Sequence, residues 1–163
     1  MNSAVVFGGY GVFGSHVARE LARIGIPVVI AGRDGARAEA FARELGLMHR
    51  AVVADVTNLE SCKAALAGQT VAVNCAGPFA SLGATLLEAC LETGSPYVDI
   101  ADDRGYAAMV RSYSERFSRL GLVAAYGCSS LPGISGALGL KACEGISSAP
   151  ERARVTLFVG NKN

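Results

Sequence analysis

The chain has 163 residues, 51% of them hydrophobic and 18% charged, and a formal net charge of +1. That balance excludes a disordered chain and allows one domain with a substantial core. No dense Lys/Arg cluster points to nucleic acid or a membrane surface, and no apolar run reaches the roughly 18 residues that a spanning helix needs.

The opening MNSAVVFGG carries no basic leader and enters a strand at once, so no signal peptide is read and a cytoplasmic protein is expected. Cys62, Cys75, Cys90, Cys128 and Cys143 are odd in number and form no C-x-x-C pair. They are expected as reduced, mostly buried thiols. His16 and His49 sit near no cysteine pair, so no zinc site is expected.

The first strand is expected at Ala4–Phe7, running into GGYGVFG and a helix over 14–23. Gly9, Gly11 and Gly14 fit G-x-G-x-x-G. The first glycine permits a tight turn, the second lets backbone approach a pyrophosphate, and the third lets helix pack closely on strand. The helix mouth then offers free N–H groups to phosphate. The alternative is a glycine-rich packing turn.

A second strand over 27–31 ends in Gly32-Arg33-Asp34. An NAD site usually places Asp or Glu there, where it binds the ribose hydroxyls. Here the residues are small and Arg33 follows, and a guanidinium suits a 2′-phosphate that a carboxylate would repel. NADP is therefore the expected cofactor. Asp34 either caps the helix expected over 36–45 or turns inward, which would favour NAD.

A third strand over 51–54 leads to Asp55, which either accepts from the adenine amine or caps the helix at Leu59–Leu66. The fourth strand, Val71–Asn74, opens into Cys75, Ala76, Gly77, Pro78 and Phe79. Small residues there admit the sugar and nicotinamide region; the alternative is a plain turn. In the helix over 82–92, Leu82, Leu86, Ala89 and Cys90 share a face.

Asp99, Asp102 and Asp103 end the fifth strand (97–100), with Arg104 beside them. They suit acid–base chemistry, a cationic substrate group, or capping of the helix over 105–120. Tyr97 reads as a packing aromatic, while Tyr106 and Tyr126 are within reach of the cleft. Cys128, after the sixth strand (122–125), has no histidine close in sequence and is a poor candidate nucleophile. A helix after Pro132-Gly133 runs to about 146, and ARVTLFVGN follows as a strand pattern. Residues 1–150 are expected as one domain, and 151–163 as the first strand of a second domain; the alternative is one more strand on the same sheet.

Strand and helix alternating in this way imply an α/β fold, a doubly wound parallel sheet of Rossmann type with helices on both faces.

Asp55 and Asn74-Cys75-Ala76-Gly77 resemble short-chain dehydrogenases, which need a tyrosine four residues before a lysine. Here Leu59, Ala137 and Phe158 precede Lys63, Lys141 and Lys162 by four, so an active member of that family is not expected. A fuller resemblance joins GGYGVFGSHVARELA, VNCAGPF, GATLLEACLETGSPYVDIADD and GCSSLPGISGALGLKA. In order and spacing these are similar to the N-terminal NADP-binding part of saccharopine dehydrogenase-like proteins. The resemblance implies an NADP-dependent oxidoreductase that acts on a carbon–nitrogen or carbonyl group of a small molecule. It implies cofactor contacts at Gly9, Gly11, Val12, Phe13, Gly14, Arg33, Asn74, Gly77, Pro78 and Phe79, and a homodimer formed through a second domain. No catalytic residue carries over. The competing reading is a non-catalytic NADP-binding or sensing module.

Overall fold

The computed structural model describes residues 3–144 together with 146, 152 and 154. The strand expected in ARVTLFVGN lies outside the described residues. Among the described residues six parallel strands form one sheet: β1 (Ala4–Phe7), β2 (Val28–Gly32), β3 (Arg50–Val53), β4 (Val71–Asn74), β5 (Tyr97–Asp99) and β6 (Ala124–Ala125). Their order is β3-β2-β1-β4-β5-β6. The chain winds outward one way from β1 and then returns to wind the other way from β4. β1 and β4 stay paired to their carboxyl ends, Phe7 beside Asn74, while the helices that follow them pack into opposite cores, which marks the switch point where such sheets bind ligands.

Helices α1 (Val12–Arg23), α2 (Gly35–Leu45), α3 (Leu59–Leu66), α4 (Thr85–Thr93), α5 (Arg104–Ser112), α6 (Ser114–Arg119) and α7 (Ser135–Cys143) connect and follow the strands. β1 and β2 are buried along their whole length. Their side chains alternate between two cores, as a period of two requires. Ala4, Val6, Val28 and Ile30 face Ala18 of α1 and Ala38 and Phe41 of α2. Val5, Phe7, Val29 and Ala31 belong to the core shared with Leu66, Leu86, Leu87, Val110 and Phe117. Burying each such Val, Leu or Ile contributes roughly 1.5–3 kcal/mol. β3 differs: it is an edge strand, and its ends Arg50 and Val53 are exposed.

Two helices depart most from expectation. α4 begins only at Thr85, because Phe79–Ser81 forms its own tight turn and Leu82 is extended at its end. Leu82 still packs against the core that holds Leu86, Ala89 and Cys90. The long helix expected over 105–120 breaks at Tyr113, whose amide bonds Val110 three residues back.

Candidate functional site

The corner between β1 and α1 is built by glycines that have no room for a side chain. A Cβ on Gly14 would lie 2.1 Å from the Gly8 carbonyl oxygen, and one on Gly9 would lie 2.8 Å from that of Val6. Gly14 thus lets the first turn of α1 sit on the end of β1. Gly8 has φ +72°, which L side chains rarely adopt, and its missing Cβ brings it against the Ala76 backbone. The glycines therefore join the turns after β1 and β4. Gly11 is the N-cap of α1 and offers no side chain to the helix mouth. A bare turn leading to an uncapped helix N-terminus fits a pyrophosphate. Val12 and Phe13, in the first turn, are exposed.

At the end of β2 the space for a side chain on Gly32 is already taken. A Cβ there would lie 2.4 Å from Cε1 of Tyr10. The Tyr10 hydroxyl accepts from the Asp34 amide at 2.9 Å, and the Arg37 guanidinium lies over its ring, 4.7 Å from the centroid. Asp34 does not turn inward: its carboxylate accepts from the Arg37 amide and caps α2. Arg33 and Arg37 are exposed, and neither joins a salt bridge among the described residues. Arg19, on the same side, is tied to Glu44. Two free guanidinium groups thus flank the place where an NAD site keeps its acid. The sequence pattern alone does not single out Tyr10 or Arg37. The available signal was Arg37, one helical turn beyond Arg33.

Asp55 is occupied locally. Its Oδ1 accepts from the Thr57 amide at 2.9 Å and the Thr57 hydroxyl at 2.8 Å. These bonds hold its carboxyl below the ordinary carboxylate range, against desolvation, with a further pull from Arg33. The cap of α3 is Asn58 rather than Asp55.

Beyond β4 the chain surfaces. Cys75 and Ala76 are half-buried, Gly77 and Pro78 exposed, and the Gly77–Pro78 peptide is cis. Asn74 lies beneath this loop, fully buried. Its Oδ1 accepts from the Ala76 amide at 3.1 Å, and its Nδ2 donates to the Tyr97 and Tyr106 hydroxyls at 3.2 and 3.1 Å. The side chain expected to touch the cofactor is therefore engaged in supporting the loop.

The three aspartates separate. Asp99 is buried, and its Oδ1 accepts from the Ala101 and Gly127 amides, tying the turns after β5 and β6 together. Asp103 caps α5 through the Tyr106 amide, and Asp102 stays exposed. Tyr97 and Tyr106 are both buried. Although the residue is exposed, partial desolvation first, and then the Asp99 charge, raise the Cys128 thiol, the opposite of what activates a nucleophile. The same two causes push Cys75 up to about 12. The five cysteines are free thiols; Cys62 and Cys90 are buried, whereas Cys128 is exposed.

Fold and corner together define a Rossmann-type dinucleotide-binding domain. The family profile described as saccharopine dehydrogenase NADP binding domain matches residues 4–124. The chain belongs to that family, and its cofactor is NADP. Curated relatives include the saccharopine dehydrogenase-like oxidoreductases of Bos taurus, 28% identical over 78% of this chain and 34% of the relative, and of Rattus norvegicus, 27% identical over 82% and 36%. The chain thus spans about a third of the length of these relatives. Among solved structures, apo saccharopine dehydrogenase (L-Glu forming) from Saccharomyces cerevisiae matches 88% of this chain and 31% of its own. The TM-score is 0.75 at 20% identity. The type-2 3-hydroxyacyl-CoA dehydrogenase of Mycobacterium avium matches 76% of this chain with a TM-score of 0.60 at 21% identity. These structural likenesses show the fold alone. Among the described residues no helix is long and apolar enough to cross a membrane.

Proposed function

We propose that this chain is the cofactor domain of an NADP(H)-dependent oxidoreductase that reduces or oxidises a carbon–nitrogen or carbonyl group of a small molecule. The bound nicotinamide supplies the hydride chemistry. The chain's own residues bind and orient: the α1 mouth with Gly9, Gly11, Val12, Phe13 and Gly14 takes the pyrophosphate, and Arg33 and Arg37 take the 2′-phosphate. Asp55 borders the adenine side, and the backbone of Ala76, Gly77 and Pro78, with Phe79, borders the nicotinamide side. The observation that carries this reading is the Tyr10 ring over Gly32, which leaves no space for a ribose-binding acid next to two unpaired guanidiniums.

The substrate, the remaining catalytic groups and a homodimer contact are assigned to a second domain, and the location to the cytoplasm. Calorimetric titration tests the cofactor half, with NADPH expected to bind at least tenfold more tightly than NADH. Equal or reversed affinities defeat it. Turnover by this chain alone is expected to be negligible.

A second reading, an NADP-sensing module without catalysis, is favoured by one observation. Asp99 is buried and Asp103 is engaged in capping, which leaves Asp102 as the exposed acid of that group. A full-length protein that binds NADPH but oxidises it with no carbonyl or imine substrate would support that reading.

A further inference from the structure

Three polar side chains meet where the sheet would be expected to pack apolar groups. Asn74 and Tyr97 are fully buried and Tyr106 is 3% exposed. They close a triangle: Asn74 Nδ2 reaches the two phenol oxygens at 3.2 and 3.1 Å, and those oxygens lie 2.9 Å apart. Burying such groups is costly unless they are bonded to each other, and valine and phenylalanine would fill the same space without that requirement. The triangle touches the loop after β4 at both ends, by a hydrogen bond at one and a ring contact at the other. Asn74 Oδ1 accepts from the Ala76 amide at 3.1 Å, and the Phe79 ring leans on the Tyr106 ring with centroids 5.1 Å apart. The Phe7 carbonyl holds the Cys75 amide at 2.9 Å, which docks the same loop onto β1. Burial, together with the Asp99 charge nearby, raises both phenols and keeps them protonated, so that one hydroxyl donates to the other.

We propose that Asn74, Tyr97 and Tyr106 are positioning residues for the nicotinamide riboside half of the cofactor. Their triangle sets the shape of residues 75–79 without touching the ligand. The inference rests on the NADP reading above.

The test is calorimetry on the unaltered chain and on Tyr106→Phe and Tyr97→Phe, with NADPH and adenosine 2′,5′-bisphosphate as separate probes. Each substitution keeps the ring and removes one hydroxyl. The bisphosphate reports only the adenosine half and serves as the check on folding. The expected result is a loss of about fivefold or more in NADPH affinity for each variant, with bisphosphate affinity held within about twofold. NADPH affinity equal to that of the unaltered chain overturns the inference and leaves the NADP reading standing. Loss of both probes in parallel assigns the triangle to the fold as a whole and also overturns it. Failure of the unaltered chain to bind either probe overturns the NADP reading and this inference with it.

Discussion

The ring of Tyr10 occupies the space that a side chain at Gly32 would need, with Cε1 2.4 Å from the Cβ position. On the NADP reading proposed above, cofactor choice is expected to involve both positions, one after β1 and the other at the end of β2. Gly32→Asp alone is expected to force the ring aside and to lower stability by about 1–3 kcal/mol, as overpacking does. Adding Tyr10→Ala relieves the clash and gives the carboxylate a place to lie. The double variant is expected to recover most of the lost stability in urea denaturation and to shift the NADPH-to-NADH affinity ratio at least tenfold toward NADH. A single variant as stable as the parent would show that the ring does not guard the position.

Arg33 and Arg37 are expected to act as a pair on the 2′-phosphate. A charge-assisted bond contributes roughly 1.5–3 kcal/mol. Arg33→Ala and Arg37→Ala should then each weaken NADPH binding by about tenfold or more, since tenfold is about 1.4 kcal/mol. NADH binding should be unchanged. Arg37→Lys should not restore affinity fully, because an ammonium neither forks nor stacks on Tyr10 as a guanidinium does. Both guanidiniums are exposed, so raising the salt concentration should shrink the NADPH preference. A preference indifferent to both substitutions places the 2′-phosphate elsewhere.

What the sequence disclosed follows the range of the forces involved. β1 and β4 lie at the expected residues because short apolar runs that lead into glycine-containing turns leave little choice. α1 starts two residues before expectation, since Gly11 rather than a side chain makes its cap. Asp34 as a cap was legible because the bond spans three residues. The role of Asn74 was not, because its phenol partners are 23 and 32 residues away. Tyr10 was hidden for a related reason: it occupies a variable position of a glycine motif, and its meaning comes from β2. Asp99 likewise reads in sequence as a member of an acidic loop, because the Gly127 amide that it holds is 28 residues away.

The second and third glycines of the motif should respond differently. A Cβ on Gly14 would lie 2.1 Å from backbone, which cannot yield without moving α1 off β1. Gly14→Ala is therefore expected to cost about 1–3 kcal/mol of stability or more. A Cβ on Gly11 meets the Gly8 carbonyl at 3.0 Å, a milder contact. Gly11→Val should leave the domain folded by circular dichroism while NADPH affinity falls severely, since branched carbon then stands where the pyrophosphate approaches. Unchanged affinity would rule out this corner as the phosphate site.

Asp34→Ala removes the α2 cap and should cost about 1 kcal/mol of stability. Asp34→Asn should restore most of it, because an amide oxygen caps as well. Neither change is expected to raise NADH affinity, since the carboxylate is directed to the Arg37 amide. A gain of NADPH affinity in Asp34→Asn would show instead that this charge repels the 2′-phosphate.

Far from the site, Glu88 of α4 ties that helix to α6. Its Oε1 accepts from the Tyr113 hydroxyl and from Arg116, each at 2.6 Å, and its Oε2 accepts from Arg116 at 2.5 Å. The Arg116 bond is the main reason that the carboxyl titrates below its ordinary 4.5, with Tyr113 adding to it and desolvation opposing. A depressed folded-state value means that the stabilisation is complete above the unfolded value and lost as pH falls through the folded one. Glu88→Gln should accordingly be less stable than the parent at pH 7, and the gap should close as pH drops below 4.5. Chemical denaturation at a series of pH values checks this. A gap independent of pH would mean that packing of the side chain, rather than its charge, joins the two helices.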